Sequence, residues 1–502
     1  MNKLITCFIA GGAPDDINRT YTTLTHSAPV KEVYILQKEE TFSFPAKTIG
    51  IPGLEDTRAL KIIAGLCQTP YLLLYTKSLF LQLSPHALER FIQVAKDTSA
   101  AFLYSDYYEI KEQQTVPHPL IDYQFGSVRD DFQFGSVLFF ATESFKEAVS
   151  CMEEYYNYSA LYDLRLKIAQ KGEILRIPEY LYTEQSTDTR SSGNRIFDYV
   201  TPSNRNVQIE RERVFTQYLK DIQAWLPSPQ TEISFEESGF PVEASIVIPV
   251  KNRERTISEA LFSALKQQTD FEYNILVVDN YSTDRTSGII QELANRHPQI
   301  IPIFPEQFQL GIGGCWNRAI TDPRCGRFCV QLDSDDLYAG TDTLQRIIQM
   351  FRKERTAMVI GSYQMVNFNL EEIPPGKIDH REWTSENGHN NALRINGFGA
   401  PRAFYTPILR EIKFPDCSYG EDYAVVLAIS RQYRIGRIFD PIYLCRRWED
   451  NSDASLSLSC IAALISSIFF DILTPYSIDW SRIKRTSGVF LKLILLANSR
   501  RI

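Results

Sequence analysis

Two stretches of this chain, separated by a proline-rich break, run through the same order of apolar and helical segments. Residues 71–95 (YLLLYTKSLFLQLSPHALERFIQVA) and 328–351 (FCVQLDSDDLYAGTDTLQRIIQMF) each read as apolar strand, polar break and helix, with Leu88 and Leu344 in corresponding places. Further along, AFLYSDYYE answers to MVIGSYQMVN, SVLFFATESFKEA to RAFYTPILREI, and KGEILRIPEYLY to YRIGRIFDPIYL. Apolar runs that alternate with helical stretches predict the α/β class. The four ordered matches predict an internal duplication. At 502 residues the chain also exceeds one ordinary core. The break, residues 226–242 (LPSPQTEISFEESGFPV), has three prolines and no period, as a linker does. The expected division is a first α/β domain over 1–225, the linker, a second domain over 243–458, and a helical tail over 459–502.

Charge and apolar content narrow the partners. With 53 Lys plus Arg against 61 Asp plus Glu, the net charge of -8 argues against a nucleic-acid partner. Nine cysteines, odd in number and scattered, make no disulfide framework and fit a reducing compartment. Cys325 and Cys329 have no further thiol or imidazole close by in sequence and read as buried or incidental. The opening MNKLITCFIAGG reads as a strand and not as a signal peptide. The longest apolar run, residues 460–473, is too short to span a bilayer and contains Asp471, so no transmembrane segment is expected. The expected location is cytoplasmic. The tail carries two apolar stretches around IKR and ends in SRRI; it reads as a helical hairpin on the second domain or as a peripheral contact with the membrane face.

The chemistry concentrates at residues 328–338, where an apolar strand ends in Asp333, Asp335 and Asp336. Carboxylates spaced this way at a strand end suit a hard divalent cation shared with phosphate oxygens. The alternative is a capping cluster ahead of the helix from Thr343. At the matching place the first half has Thr76, Lys77, Ser78 and Leu79, with no carboxylate, which predicts the same fold without the chemistry. A second acidic pair, Glu421 and Asp422, opens a helix-like run in SYGEDYAVVLAIS. It reads as a catalytic carboxylate pair or as an acidic first turn favoured by the helix dipole.

Taken together, IPVKNR, VVDNYSTDRT, LGIGGCWNRAI, QLDSDD and YGEDYA stand in the order and spacing of a family 2 glycosyltransferase, which the second half resembles strongly from Ala244 to about Ser455. The resemblance implies two tandem GT-A-like (nucleotide-diphospho-sugar transferase) domains, each a central mixed sheet flanked by helices, the first degenerate. It implies an inverting, metal-dependent hexosyl transfer from a nucleotide-sugar, UDP-linked before GDP-linked, to a hydroxyl of a glycan or lipid-linked glycan, as in polysaccharide biosynthesis. Position by position, Pro249 and Asn252 would line the nucleoside pocket and Asp279 would contact the base. Gly311, Asn317 and Arg318 would lie near the diphosphate or sugar. Asp333 would reach donor hydroxyls, and Asp335 with Asp333 would hold Mn²⁺ or Mg²⁺. Asp422 would be the general base. Glu421, Arg402 and Trp383 fall on the acceptor side. Arg447 and Trp448 are similar to the Arg-Trp pair of processive synthases and imply diphosphate binding.

The chain departs from the family at Gln309, where Asn is common, and at the third metal ligand. The family often places a histidine there, whereas this chain offers Glu449, Asp450 or Asp453. Two rival readings are a sugar nucleotidyltransferase and a carbohydrate-binding or scaffold protein. For the former, Lys251, Arg253 and Arg255 lack the glycines of a phosphate loop.

Overall fold

The computed structural model describes residues 3–38, 47–111, 113–186, 204–229, 231–236, 239–307, 310–395, 397–417, 419–449 and 451. In the first half the strands are β1 (Ile5–Ala10), β2 (Val30–Gln37), β3 (Lys47–Gly50), β4 (Tyr71–Tyr75), β5 (Gln82–Leu83), β6 (Phe102–Lys111), β7 (Gln114–His118), β8 (Val137–Ala141) and β9 (Ile174–Gln185). In the second half they are β10 (Ala244–Val250), β11 (Tyr273–Asp279), β12 (Ile300–Ile303), β13 (Phe328–Gln331), β14 (Leu337–Tyr338), β15 (Met358–Val366), β16 (Glu372–Ile378), β17 (Arg402–Tyr405) and β18 (Ile435–Arg446).

The strands form two nine-stranded sheets, ordered β3-β2-β1-β4-β8-β6-β9-β5 and β12-β11-β10-β13-β17-β15-β18-β14, with β7 on β6 and β16 on β15. Each strand of the second sheet takes the place of the strand nine earlier in the chain. The senses agree as well: β1 runs parallel to β2 and β4, as β10 does to β11 and β13. β8 and β17 then turn antiparallel against β4 and β13. The duplication expected from the strand and helix order is present in the topology, and both sheets are mixed as expected.

Local sequence explains the layers. Every residue of β1 and β11 is buried, because helices cover both faces of the sheet. The helix Thr343–Glu354 buries Leu344, Ile347, Ile348 and Phe351, and its counterpart Ala87–Thr98 buries Leu88, Phe91, Ile92 and Ala95. That 3-4-7 spacing is the apolar stripe of a helix lying on a sheet. Phe351 stacks on Phe328 with ring centroids 4.5 Å apart, fixing the helix to the strand that carries the aspartates.

The halves differ where the aspartates stand. In the first sheet, Lys77 Nζ lies 2.6 Å from Glu184 Oε1, and the other Glu184 oxygen accepts the Ser136 hydroxyl. A Cβ built on Gly12 would overlap the Ser78 carbonyl oxygen. The loop after β1 thus closes onto the segment that corresponds to DSDD.

The halves also share packing. Helix Arg205–Asp221 buries Val214, Phe215, Tyr218 and Leu219 in the same apolar cluster as the second sheet, and Tyr156, Tyr162 and Leu166 join them. No helix among the described residues is long and apolar enough to cross a membrane. The tail over 459–502, Gln309, Asp450 and Asp453 lie outside the described residues.

Candidate active site

The parallel core β11-β10-β13 delivers its carboxyl ends to one edge, and loops after each strand build the site there. The two loops after β10 and β11 lock together. Asn252, at φ 53°, donates its N–H to Ser282 Oγ (2.9 Å), and its Oδ1 accepts the Thr283 N–H (2.8 Å). Asp279, 1% exposed, accepts the Ser282 N–H at 3.0 Å and the Ser287 hydroxyl. Pro249 sits half-buried beside Val278 in the register of β10 on β11.

At the end of β13 the aspartates divide their tasks. Asp336 is fully interior: its Oδ1 accepts the Arg446 N–H at 2.7 Å, tying the loop to the end of β18. Burial and the neighbouring Asp335 and Asp333 charges hold its pKa well above the carboxylate range. Asp333 receives a forked hydrogen bond from Gln331 Nε2, 3.0 Å to each oxygen. Burial, reinforced by the Asp335 charge against those hydrogen bonds, raises its pKa to about 6. Asp335 Oδ2 takes the Trp448 indole N–H at 3.1 Å and the Asn451 amide at 3.4 Å, with Arg253 Nε 3.6 Å away. The Arg253 and Arg255 guanidinium carbons lie 5.7 and 5.0 Å from the Trp448 ring centroid, forming a cationic and aromatic wall.

The second acidic pair meets the first through a polar relay. Gln331 Oε1 accepts from Arg402 N and Nη1, both at 3.1 Å, and Arg402 Nη2 pairs with Asp422 Oδ2 at 2.6 Å. Asp333, Gln331, Arg402 and Asp422 therefore form one connected line. Helix Glu421–Ser430 starts at Gly420, whose φ of 79° turns the chain inward and places the acids in its first turn. Glu421 is 7% exposed with Oε2 unpartnered; burial, then the adjacent Asp422 charge, raises its pKa to about 8.

This arrangement bears directly on a divalent cation. The Asp335 charge is one of the causes that raise the pKa of Asp333, and a cation beside the two would offset that repulsion. Among the described residues no cluster of three or more His, Cys, Asp or Glu could hold a metal unaided, and Glu449 pairs with Arg255 at 3.3 Å instead. A cation at Asp333 and Asp335 would have one or two carboxylates and would need phosphate oxygens and water for the rest of its shell, as Mg²⁺ commonly does.

The other expected residues make contacts of their own. Asn317 spends both ends of its amide on the Phe414 backbone, Nδ2 to O at 2.7 Å and Oδ1 from N at 2.9 Å. The backbone of Gly311 approaches Cys417, where a Cβ would come within 2.6 Å of the carbonyl oxygen. Arg318 is exposed in the last turn of Ile312–Thr321, close to Asp322, at the end of that helix remote from Gly311. Arg447 continues the sheet by donating its N–H to Val366 O at 2.7 Å. Trp383 lies one layer behind Arg402: its ring meets Phe398 at 5.5 Å and the Arg437 guanidinium at 4.1 Å, and Phe398 O accepts Arg402 Nε at 2.7 Å. The residues not foreseen are Gln331, Arg253 and Asn451. Gln331 ends β13 and Asp333 follows it by two in the loop, a proximity that the sequence shows but a pairing that it does not.

The second half of the chain is similar in sequence to known proteins. Residues 245–410 match the family described as Glycosyl transferase family 2. Within the second half, residues 245–410 are thus similar to a family 2 glycosyltransferase domain. The UDP-Glc:alpha-D-GlcNAc-diphosphoundecaprenol beta-1,3-glucosyltransferase WfgD of Escherichia coli is 29% identical over 198 residues, 39% of this chain and 72% of that protein. The poly(ribitol-phosphate) beta-glucosyltransferase of Bacillus spizizenii is 32% identical over 127 residues, 25% of this chain and 20% of that protein. Among solved structures, S. aureus TarS 1-349 in complex with UDP-GlcNAc aligns with a TM-score of 0.38 and 22% identity, over 46% of this chain and 66% of that one.

Proposed function

We propose that the second half transfers a hexosyl group from a nucleotide-sugar, UDP-linked before GDP-linked, to a hydroxyl of a glycan or lipid-linked glycan, with inversion. The observation that carries this is the line Asp333–Gln331–Arg402–Asp422, which starts within the residues that match family 2 and sets a candidate donor-side acid and a candidate base on one connected support. The names of the relatives support the donor and acceptor classes: one uses UDP-Glc and a diphosphoundecaprenol-linked acceptor, another a poly(ribitol-phosphate).

In this reading Asp335 and Asp333 hold Mn²⁺ or Mg²⁺, which supplies charge neutralisation at the diphosphate. Trp448, Arg253 and Arg447 face the diphosphate, and Asn252, Pro249 and Asp279 form the wall against the nucleoside. Asp422 takes the proton of the attacking hydroxyl, and Arg402 keeps its carboxylate aimed. A single displacement at the anomeric carbon needs no enzyme nucleophile, so one base suffices and the configuration inverts. Glu421 keeps its proton near neutral pH and can donate a hydrogen bond to the acceptor.

The deciding experiment is calorimetric titration of UDP and GDP, with and without Mn²⁺, into the wild type and Asp335→Ala. Metal-dependent binding of one nucleotide, lost in the variant, is the expected result. Equal binding by the variant would remove Asp335 as a metal ligand. No binding of either nucleotide would favour the carbohydrate-binding reading.

A further inference from the structure

The two halves meet through corresponding loops, residues 119–136 between β7 and β8 and residues 379–401 between β16 and β17. Arg394, without exposed surface, donates from Nη1 to Asp130 Oδ2 at 2.6 Å and Gln208 Oε1 at 2.8 Å, and from Nε to Asn391 Oδ1 at 3.0 Å. Asp130 also pairs with Arg211 at 3.3 Å. Beside this, Asn387 Nδ2 reaches Glu212 at 2.8 Å and Thr216 at 3.0 Å, and Asn390 Oδ1 accepts the Leu226 N–H at 3.2 Å. A guanidinium buried this deeply is tolerated only in a fixed, paired geometry, so the contact holds residues 387–395 in one position.

From that segment two ties run to Asp422. The Tyr423 hydroxyl, one residue beyond Asp422, bonds to the carbonyl oxygens of Ala392 and of Ile395, the latter at 2.6 Å. Arg402, which pairs with Asp422, donates to Phe398 O in the same loop. The carboxylate is thus aimed by a loop whose own anchor, Asp130, belongs to the other half of the chain.

We infer that Asp130 and Arg394 are positioning residues for Asp422, and that the first half, which has no aspartates at its own sheet end, braces the acceptor-side loop of the second. The inference rests on Asp422 being the base. Neither residue touches the reacting atoms; they act through Tyr423 and Arg402.

The test uses the full chain carrying Asp130→Asn, with Asp130→Glu as the conservative variant. Amide hydrogen exchange is expected to accelerate about tenfold in residues 388–395 and 421–430 while β10 and β13 stay unchanged. UDP release from UDP-glucose with Mn²⁺ is expected to lose about tenfold in kcat at unchanged KM, with partial recovery in Asp130→Glu. Unchanged exchange in 421–430 together with intact kcat would overturn the inference. So would equal acceleration in every segment with a rise in KM, which is plain destabilisation. If Asp130→Asn does not fold, Tyr423→Phe cuts the next tie; intact kcat in that variant is likewise a refutation, and the same kcat loss is support. A wild type that releases no UDP from UDP-glucose counts against the UDP-sugar reading, and the exchange pattern alone then decides the brace.

Discussion

Asp422 lies against Arg402 at 2.6 Å, and that pairing decides how the residue can act. In the proposed reading the guanidinium keeps the carboxylate aimed as a base must be, and removing that proton acceptor leaves the donor-side contacts in place. Asp422→Asn is therefore expected to lower kcat by about 10²–10⁴-fold with nucleotide affinity unchanged, read by turnover and calorimetry on the same sample. Its neighbour Glu421 makes a different kind of prediction. Its pKa rises on folding from 4.5 to about 8, so between those values the unfolded chain has released a proton that the folded one keeps. Stability then falls as pH rises through that window. Glu421→Gln is expected to flatten the dependence; denaturant titrations at pH 5 and pH 8 that show the same slope for both proteins would contradict it.

At the scale of elements, the helix Ile312–Thr321 acts as a clamp for the segment that leads into the acidic pair. Asn317 staples Phe414, and the Gly313 Cβ position would overlap the Pro415 carbonyl oxygen. Asn317→Ala leaves the Phe414 N–H and C=O without those partners, at a cost of about 1–3 kcal/mol measurable by denaturant unfolding. Sequence reasoning found this element and placed Gly311, Asn317 and Arg318 near the ligand, without foreseeing the contacts that Gly311 and Asn317 make with residues 414–417. A glycine that admits a diphosphate and a glycine that admits the Cys417 backbone look alike in one chain, because both only require that no Cβ be present. The strands were legible for the opposite reason: a buried strand is an apolar run, which is a local property. The line from Gln331 to Asp422 was only half legible. Gln331 stands two residues from Asp333 and is found by proximity in the sequence, whereas Arg402 is 71 residues from Gln331 and twenty from Asp422.

At the scale of the whole molecule, the two sheets share one strand order and only one of them presents aspartates at its open edge. Restoring a carboxylate in the first half with Ser78→Asp is expected to add no second nucleotide site. The loop at Gly12 already presses on the Ser78 carbonyl, so the stoichiometry of UDP binding should remain that of the wild type. The halves also depend on each other for burial. A chain starting at Ala244 loses Phe215, Tyr218 and Leu219 from the apolar cluster of the second sheet and leaves Arg394 without Asp130. It is expected to melt several degrees below the full chain, and equal melting temperatures would refute the shared core. The sequence alone determined the α/β class, the duplication, the placing of acids at strand and helix ends, and the loss of those acids from the first copy, because each is written in local apolar pattern and residue chemistry. The tertiary structure alone decided which polar groups gather at the ends of the parallel strands and which are spent on the protein's own backbone, and that the first half grips the loop behind Asp422, because partners distant in sequence become neighbours only when the sheets and helices pack.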